Sequence, residues 1–301
     1  MAIELNDDDK RKLNDLKELL DFGQNSFKSI SKGWYEVKRR KQLLSQMFAA
    51  VHSQTESISI LLETGRTFSV EILLRPVQET LINANYILIG RNNFTANRFL
   101  VGSNSKLIKQ INKMIRYQSN NPTHNPGAPE MDLVALQKTS LKRESENRSY
   151  LDRFSYPIPQ NETSVEERVI AIDKEYVRLR QNLPSLSQQW MYLTQYWLAS
   201  EQVHLTARGL MNYTGVTDDS VILFLDGDKD AIERYIVIAS AMYLDMLYII
   251  NSQFNVPAKK ELNIWKKRIR DNSLSGPKST EGKKVVGLRA KKSINAQSSK
   301  S

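Results

Sequence analysis

Apolar residues recur at helical spacing along most of this chain, and β-branched runs bounded by turns are scarce. A first helix is predicted from Asp7 to Phe22, where three aspartates suit a helix N-terminus. Its apolar stripe consists of Leu13, Leu16, Leu19 and Leu20. Further helices are predicted at Trp34–Thr64, Phe68–Ile89, Phe94–Tyr117, Glu130–Phe154, Val165–Asn182 and Ser187–Tyr213, in a segment that runs to Phe254, and at Pro257–Asp271. The pattern therefore predicts an all-α, multi-helix bundle.

Local signals define several boundaries more closely. We expect Gly65 to follow the second helix as its C′ residue, and the spacing of Ser164 and Glu167 is that of a capping box. Pro76 should kink the third helix or begin a second segment. The strongest strand candidate is 220–225, but one short strand cannot form a sheet, so we expect a buried loop or helix there.

Two apolar segments should lie at the centre of the bundle. Phe68–Ile89 is apolar on nearly all sides, which predicts a buried central helix. The stretch Ile236–Ile250 is too short to span a bilayer and contains Asp245, so we expect a core helix there and no membrane span. The predicted organisation is N-terminal helices at 1–51, a helical core domain at 52–256, a basic amphipathic helix at 257–272 and a disordered basic tail at 273–301.

The charge is distributed unevenly along the chain. Residues 257–301 contain 13 basic and 3 acidic side chains, whereas the other 256 residues contain 30 of each sign. We expect this basic end to bind nucleic acid or another polyanion, because Lys and Arg neutralise phosphates and release counterions. A solubilising tail and an anionic membrane surface are the alternatives. The candidate nucleic-acid-binding residues are Lys259, Lys260, Trp265, Lys266, Lys267, Arg268, Arg270, Lys283, Lys284, Arg289, Lys291 and Lys292.

The chain contains no cysteine, which excludes disulfides, thiolate nucleophiles and Cys-ligated metals. It has neither a paired-histidine motif nor a glycine-rich phosphate loop, and we expect no metal and no cofactor. The first residues lack the apolar segment of a secretory signal, so we expect a cytoplasmic protein. The sequence leaves the oligomeric state open.

Two rows of polar side chains interrupt apolar helices. Arg75 and Glu79 are spaced i, i+4 in the central helix, where they form either a buried structural ion pair or part of a polar pocket. The helix at Ser187–Tyr213 carries a second row, formed by Tyr196, Ser200, His204 and Arg208. His204 is either a core histidine bonded to a neighbouring helix or a general acid or base, since its reference pKa lies near neutrality.

The run from His52 to Leu88 resembles the signature of a bacterial all-helical family catalogued as a domain of unknown function. Members of that family pair an R-x-x-x-E-T helix with a later Y…S-x-x-x-H helix. The matching positions here are Arg75, Glu79, Tyr196, Ser200 and His204. The resemblance spans about His52 to Phe254. It implies a helical bundle whose interior can bring the two polar rows together. It implies no established activity.

Three functions are compatible with these features. The preferred hypothesis is a non-enzymatic interaction module whose basic tail binds nucleic acid or another polyanion. The first alternative is a metal-independent, nucleic-acid-cleaving effector of toxin or phage-defence type, in which His204 is the general acid or base and Arg75 and Arg208 stabilise phosphate charge. The Arg-to-His spacing of familiar helical ribonucleases is absent. The second alternative is a pocket for a small anionic ligand, lined by Arg75, Glu79 and His204. Whether the protein is an enzyme stays open at this point.

Overall fold

The computed structural model describes most of the chain, and the structural statements below concern those residues. They are 5–30, 39–90, 94–120, 132–153, 163–178, 189, 192–196, 200, 214–216, 221–223, 231–254 and 256–274.

Helices dominate this described part of the chain, which confirms the predicted all-α bundle. The α-helices are α1 (Asp7–Ile30), α2 (Arg39–Glu63), α3 (Thr67–Ile89), α4 (Phe94–Asn120), α5 (Leu133–Arg153), α6 (Val165–Arg178), α7 (Ile232–Phe254) and α8 (Lys259–Leu274). A π-helical turn at Tyr192–Tyr196 and two short strands, β1 (Thr214–Val216) and β2 (Val221–Leu223), lie between α6 and α7.

The local boundary signals are confirmed where the structure describes them. Gly65 has a φ of 73°, the left-handed conformation that ends a helix with little strain when the residue is glycine. At the start of α6, the Ser164 amide donates to the Glu167 carboxylate at 2.7 Å, and the Glu167 amide donates to Ser164 Oγ at 3.1 Å. These two hydrogen bonds form a capping box. Hydrogen bonds to the Glu167 carboxylate from the backbone and the side chain of Ser164 lower the pKa of Glu167.

Pro76 lies inside α3, which continues on both sides of it, so no second segment begins there. Proline removes the hydrogen bond to the carbonyl four residues earlier, which belongs to Ile72. Ile72 is 37% exposed, so this position of α3 faces solvent.

The expectation of a loop or helix at 220–225 was wrong for 221–223. Those residues form β2, which pairs antiparallel with β1 in the register Thr214–Leu223, Gly215–Ile222 and Val216–Val221. The partner strand comes from a few residues upstream, so the pair is a local hairpin and needs no distant strand. Gly215 inside β1 weakened the strand signal of that segment in the sequence.

The largest apolar core lies between α1, α2, α3 and α7, and α8 adds Leu262 to it. A second, smaller core joins α3 to α6 through Ile82, Tyr86, Val169 and Ile172. Helices α4 and α5 pack against each other, and the first turns of α4 contact α2 and α3. The central position predicted for Phe68–Ile89 is confirmed, because α3 has buried residues on several sides and contacts helices in both cores.

Helix α7 is longer than the apolar stretch from which it was predicted. It runs for 23 residues, and within the described part of the chain it is the helix whose length and composition would suffice to cross a membrane. Most of its 18-residue apolar stretch is buried, and the helix packs against α1, α2 and α3, as expected for a core helix.

Candidate functional site

Helix α8 is attached to the body of the protein by one apolar face. Leu262 is 1% exposed, and Trp265 and Ile269 pack against the same core. The predicted basic amphipathic helix is therefore docked with its apolar side inward. Trp265 is half-buried in this contact, which restricts its use as a stacking surface for a base.

Arg268 connects a flank of α8 to α1. Its guanidinium lies 2.5 Å from Asp15 and 2.8 Å from Glu18, and 4.9 Å from the centre of the Trp265 ring. The buried side chain of Asn272 donates to the same Asp15 carboxylate at 2.9 Å. Because Asp15 is itself buried, its partners matter for stability. Arg268 thus contributes to the docking of α8.

The other basic residues of α8 lie on its outward side. At 3.6 residues per turn they fall within a sector of about 120°. The set consists of Lys259, Lys260, Lys266, Lys267 and Arg270, all exposed, and we call it the basic stripe. Among the described residues, no carboxylate lies within 4.0 Å of its four lysines, and Arg270 approaches Asp271 at 3.7 Å. The stripe is about 17 Å long, which is close to five successive phosphates of one strand at about 3.4 Å each.

The rest of the predicted basic tail lies outside the described residues. This applies to Lys283, Lys284, Arg289, Lys291 and Lys292.

Arg75 of α3 meets the beginning of the second polar row. Its guanidinium donates to the Tyr196 hydroxyl at 3.3 Å and lies 5.1 Å from the centre of that ring. Tyr196 in turn stacks on Tyr192, with ring centres 4.8 Å apart, inside the π-helical turn. Burial and the neighbouring Tyr196 raise the pKa of Tyr192. Short π-helical turns often mark functional positions, and here the contact joins the first polar row to the start of the second.

The two members of the first row do not pair with each other. Arg75 and Glu79 are both half-exposed, and the salt bridges between described residues do not include this pair. Arg75 donates to Tyr196, and the sequence alone gave no indication that these two residues lie together. Ser200 is helical and half-buried, whereas His204 and Arg208 lie outside the described residues.

A buried ion pair that the sequence analysis missed lies between α1 and α7. Lys12 has no exposed side-chain area, and its ammonium lies 2.7 Å from Asp8 and also pairs with Glu233. Burial lowers the pKa of Lys12, but the two carboxylates outweigh that effect and raise it above its usual value. The sequence did contain one indication that Lys12 is buried: it lies one turn before Leu16, on the apolar stripe of α1.

Asp245 is the acidic residue of α7 that approaches the basic stripe. Burial raises its pKa to about 6, and the nearby Lys266 acts in the opposite direction. Tyr176 of α6 and Tyr248 of α7 also lie within electrostatic range of this carboxyl. A carboxyl in this environment ionises close to neutral pH.

The described residues contain no group of three or more His, Asp or Glu side chains that could hold a metal ion. Two small cavities lie between them, one between α1, α7 and α8 and the other beside Gly23 and Phe48. Each has a volume of about 10 Å³, about the space of one water molecule. Neither is lined by Arg75 or Glu79.

These features define a helical protein with a docked basic helix and a separate Arg–Tyr cluster. Residues 41–221 match a family of unknown function, DUF5677, and because this match covers more than half of the chain, the protein belongs to that family. The predicted family membership is confirmed, although the matching region begins and ends earlier than the predicted span from His52 to Phe254. No curated protein and no solved structure is significantly similar to the chain. Arg75 and Tyr196 lie inside the family region, whereas the basic stripe lies outside it.

Proposed function

We propose that this protein is an interaction module that binds nucleic acid through the basic stripe of α8. One observation carries the proposal: five basic side chains share the outward side of a helix whose opposite face is fixed to the core. A docked helix presents its charges together, so they need not be ordered at the moment of binding. The basic residues that follow α8 in the sequence would extend the contact along the same polyanion.

The size of the effect follows from counterion release. Five neutralised phosphates give a slope of about −4.5 for the logarithm of affinity against the logarithm of salt concentration with duplex DNA, and about −3.5 with a single strand. Between about 50 and 200 mM salt, a slope of −4.5 corresponds to a loss of roughly 500-fold in affinity. Arg268 is omitted from this count because Asp15 and Glu18 already neutralise it.

The experiment is a fluorescence-anisotropy titration of labelled single- and double-stranded RNA and DNA over a salt series. Deleting 257–301 is a poor test, because Leu262 belongs to the apolar core and would be lost. The informative variants are 1–274, which keeps α8, and a full-length stripe variant with Lys259, Lys260, Lys266, Lys267 and Arg270 all changed to Gln.

A matched control removes a similar charge elsewhere, through Lys106→Gln, Lys109→Gln, Lys113→Gln and Arg116→Gln on α4. We expect 1–274 to retain binding, the stripe variant to lose most of it together with about 4 units of salt slope, and the control to bind as the unaltered protein does. Unchanged affinity and slope in the stripe variant would overturn the proposal.

A second candidate function is nucleic-acid cleavage, and the contact between Arg75 and Tyr196 favours it. That contact places a cation of α3 at the end of the row that continues to His204 in the sequence. The same binding reactions, run on a denaturing gel, test it: cleavage by the unaltered protein that disappears in His204→Ala, with unchanged circular dichroism, would establish this activity. Intact nucleic acid in both samples would reject it.

The proposed function suits a cytoplasmic protein, and we propose that α7 is a core helix and does not span a membrane. The support is its packing: residues along most of α7 are buried against α1, α2 and α3.

A further inference from the structure

A second basic surface lies on α4, away from α8. Helix α4 contains five basic residues and no acidic one. Four of them follow one another at spacings of three or four residues and lie on one exposed side of the helix. They are Lys106, Lys109, Lys113 and Arg116. We call this set the α4 basic row.

Apolar side chains are exposed beside this row. On α4 they are Leu107, Met114 and Tyr117, which are 42%, 37% and 51% exposed. Helical geometry places them in the sector next to the α4 basic row, while Ile108 and Ile111 on the opposite side are buried. The packed neighbour α5 also has exposed apolar residues, Val134 and Leu141 on one side of the helix and Leu136 on another. Six of the ten large exposed apolar residues of the described chain are therefore on this pair of helices.

The pair is held together by hydrogen bonds on its inner side. Ser105 donates to the Glu144 carboxylate at 2.8 Å, and Gln137 donates to the side-chain oxygen of Asn112 at 2.5 Å. These bonds fix α4 against α5 over about two turns. On the outer side of α4, the basic and apolar sectors run side by side.

We propose that this face of α4 binds the surface of an anionic lipid membrane. Interfacial helices combine a row of Lys and Arg, which meet lipid phosphates, with apolar side chains that enter the boundary of the acyl chains. The absence of acidic residues along α4 fits a partner that is negatively charged throughout. Nucleic acid would use the charges but would leave Leu107 and Met114 without an apolar partner. Tyr117 is a residue type that membrane interfaces favour.

The test is co-sedimentation of the full-length protein with two kinds of vesicle. One consists of phosphatidylcholine, and in the other phosphatidylglycerol replaces a third of it. Each Lys or Arg near an anionic surface adds roughly fivefold to the partition coefficient, so neutralising four of them should lower it by several hundred-fold. The variants are the α4 charge variant (Lys106→Gln, Lys109→Gln, Lys113→Gln, Arg116→Gln), an apolar variant (Leu107→Ser, Met114→Ser) and the stripe variant of α8.

We expect binding to the anionic vesicles only, a loss in both α4 variants and retention in the stripe variant, with unchanged circular dichroism in all three. The inference is overturned if the unaltered protein ignores anionic vesicles, or if the stripe variant alone loses them. It is also overturned if light scattering shows a dimer that the apolar variant converts to a monomer, because the face would then contact a second copy. Loss of nucleic-acid binding in the α4 charge variant, without any vesicle binding, would assign the row to nucleic acid and reject the lipid.

Discussion

Gly23 of α1 makes room for the most deeply buried aromatic residue of α7, and replacing it with alanine should destabilise the fold. A Cβ atom added at Gly23 would lie 2.8 Å from Cζ and 3.0 Å from Cε1 of Tyr243, and closer still to the hydroxyl oxygen. Tyr243 has no exposed area, and its hydroxyl is 2.7 Å from Nδ1 of His52. The ring is also packed beside those of His52 and Phe48, so it has little freedom to move aside.

The expected loss of stability combines three effects. Overpacking in a core costs about 1–3 kcal/mol, and displacing the tyrosine hydroxyl from His52 costs about 0.5–1.5 kcal/mol. Alanine at a helix interior recovers about 1 kcal/mol relative to glycine. The net prediction is a decrease of about 1–3 kcal/mol in the free energy of unfolding for Gly23→Ala.

A double-mutant cycle with Tyr243→Phe isolates the cause. Tyr243→Phe alone should cost about 1 kcal/mol by removing the hydrogen bond, and the double variant should lose about 1–2 kcal/mol less than the sum of the single losses, because the colliding oxygen is gone. Urea unfolding followed by circular dichroism measures all four proteins, and Asn25→Ala on the exposed side of α1 is the control for helix propensity. If Gly23→Ala is as stable as the unaltered protein, or if the two losses simply add, the steric reasoning fails.

Three further predictions concern the charged residues. Lys12→Ala should lower the free energy of unfolding in urea by about 3 kcal/mol, because it leaves Glu233 of α7 without its buried partner. Adding Glu233→Gln should recover part of that loss, and a double variant whose loss equals the sum of the two single losses would contradict this reasoning. Because burial raises the pKa of Asp245 to about 6, protonation stabilises the fold below the unfolded-state pKa near 3.8, and that stabilisation disappears as the pH rises through about 6. Between about pH 4 and pH 7, the free energy of unfolding of Asp245→Asn should therefore rise by up to about 3 kcal/mol relative to that of the unaltered protein. An equal difference between the two proteins at both pH values would refute the raised pKa of Asp245. Arg268→Ala should lower the free energy of unfolding by about 1 kcal/mol while leaving the salt slope of nucleic-acid binding unchanged, and a slope reduced by about one unit would instead make Arg268 a phosphate contact.

The sequence was sufficient for features that depend on neighbouring residues. Helix periodicity, the glycine after α2 and the capping box at Ser164 involve side chains and backbone within a few positions, so their energetics are local. The amphipathic face of α8 was predictable for the same reason. Leu262 and Trp265 lie on one side of the helix in any helical conformation, and burial follows wherever a core is available.

Features that join distant parts of the chain were not predictable in this way. The i, i+4 spacing of Arg75 and Glu79 suggested an ion pair, whereas the hydrogen bond from Arg75 to Tyr196 joins residues 121 positions apart. The strand at Val221–Leu223 depends on pairing with β1, and the sequence pattern of one segment alone does not show whether a partner strand is present. Arg268 illustrates the same limit, because the sequence groups it with a basic cluster while its partners, Asp15 and Glu18, are on α1.

Net charge by segment also concealed a surface that the fold reveals. The 256 residues before Pro257 carry equal numbers of basic and acidic side chains, which describes a neutral body. Within that body, α1 begins with three aspartates, whereas every charged residue of α4 is basic. Because charges separated by more than about 8–10 Å are largely screened at physiological salt, local composition decides what a surface binds. The protein therefore presents two basic faces, one on α8, which packs on α7, and one on α4, which packs on α5. Variants confined to each face test the proposed nucleic-acid contact and the proposed membrane contact separately.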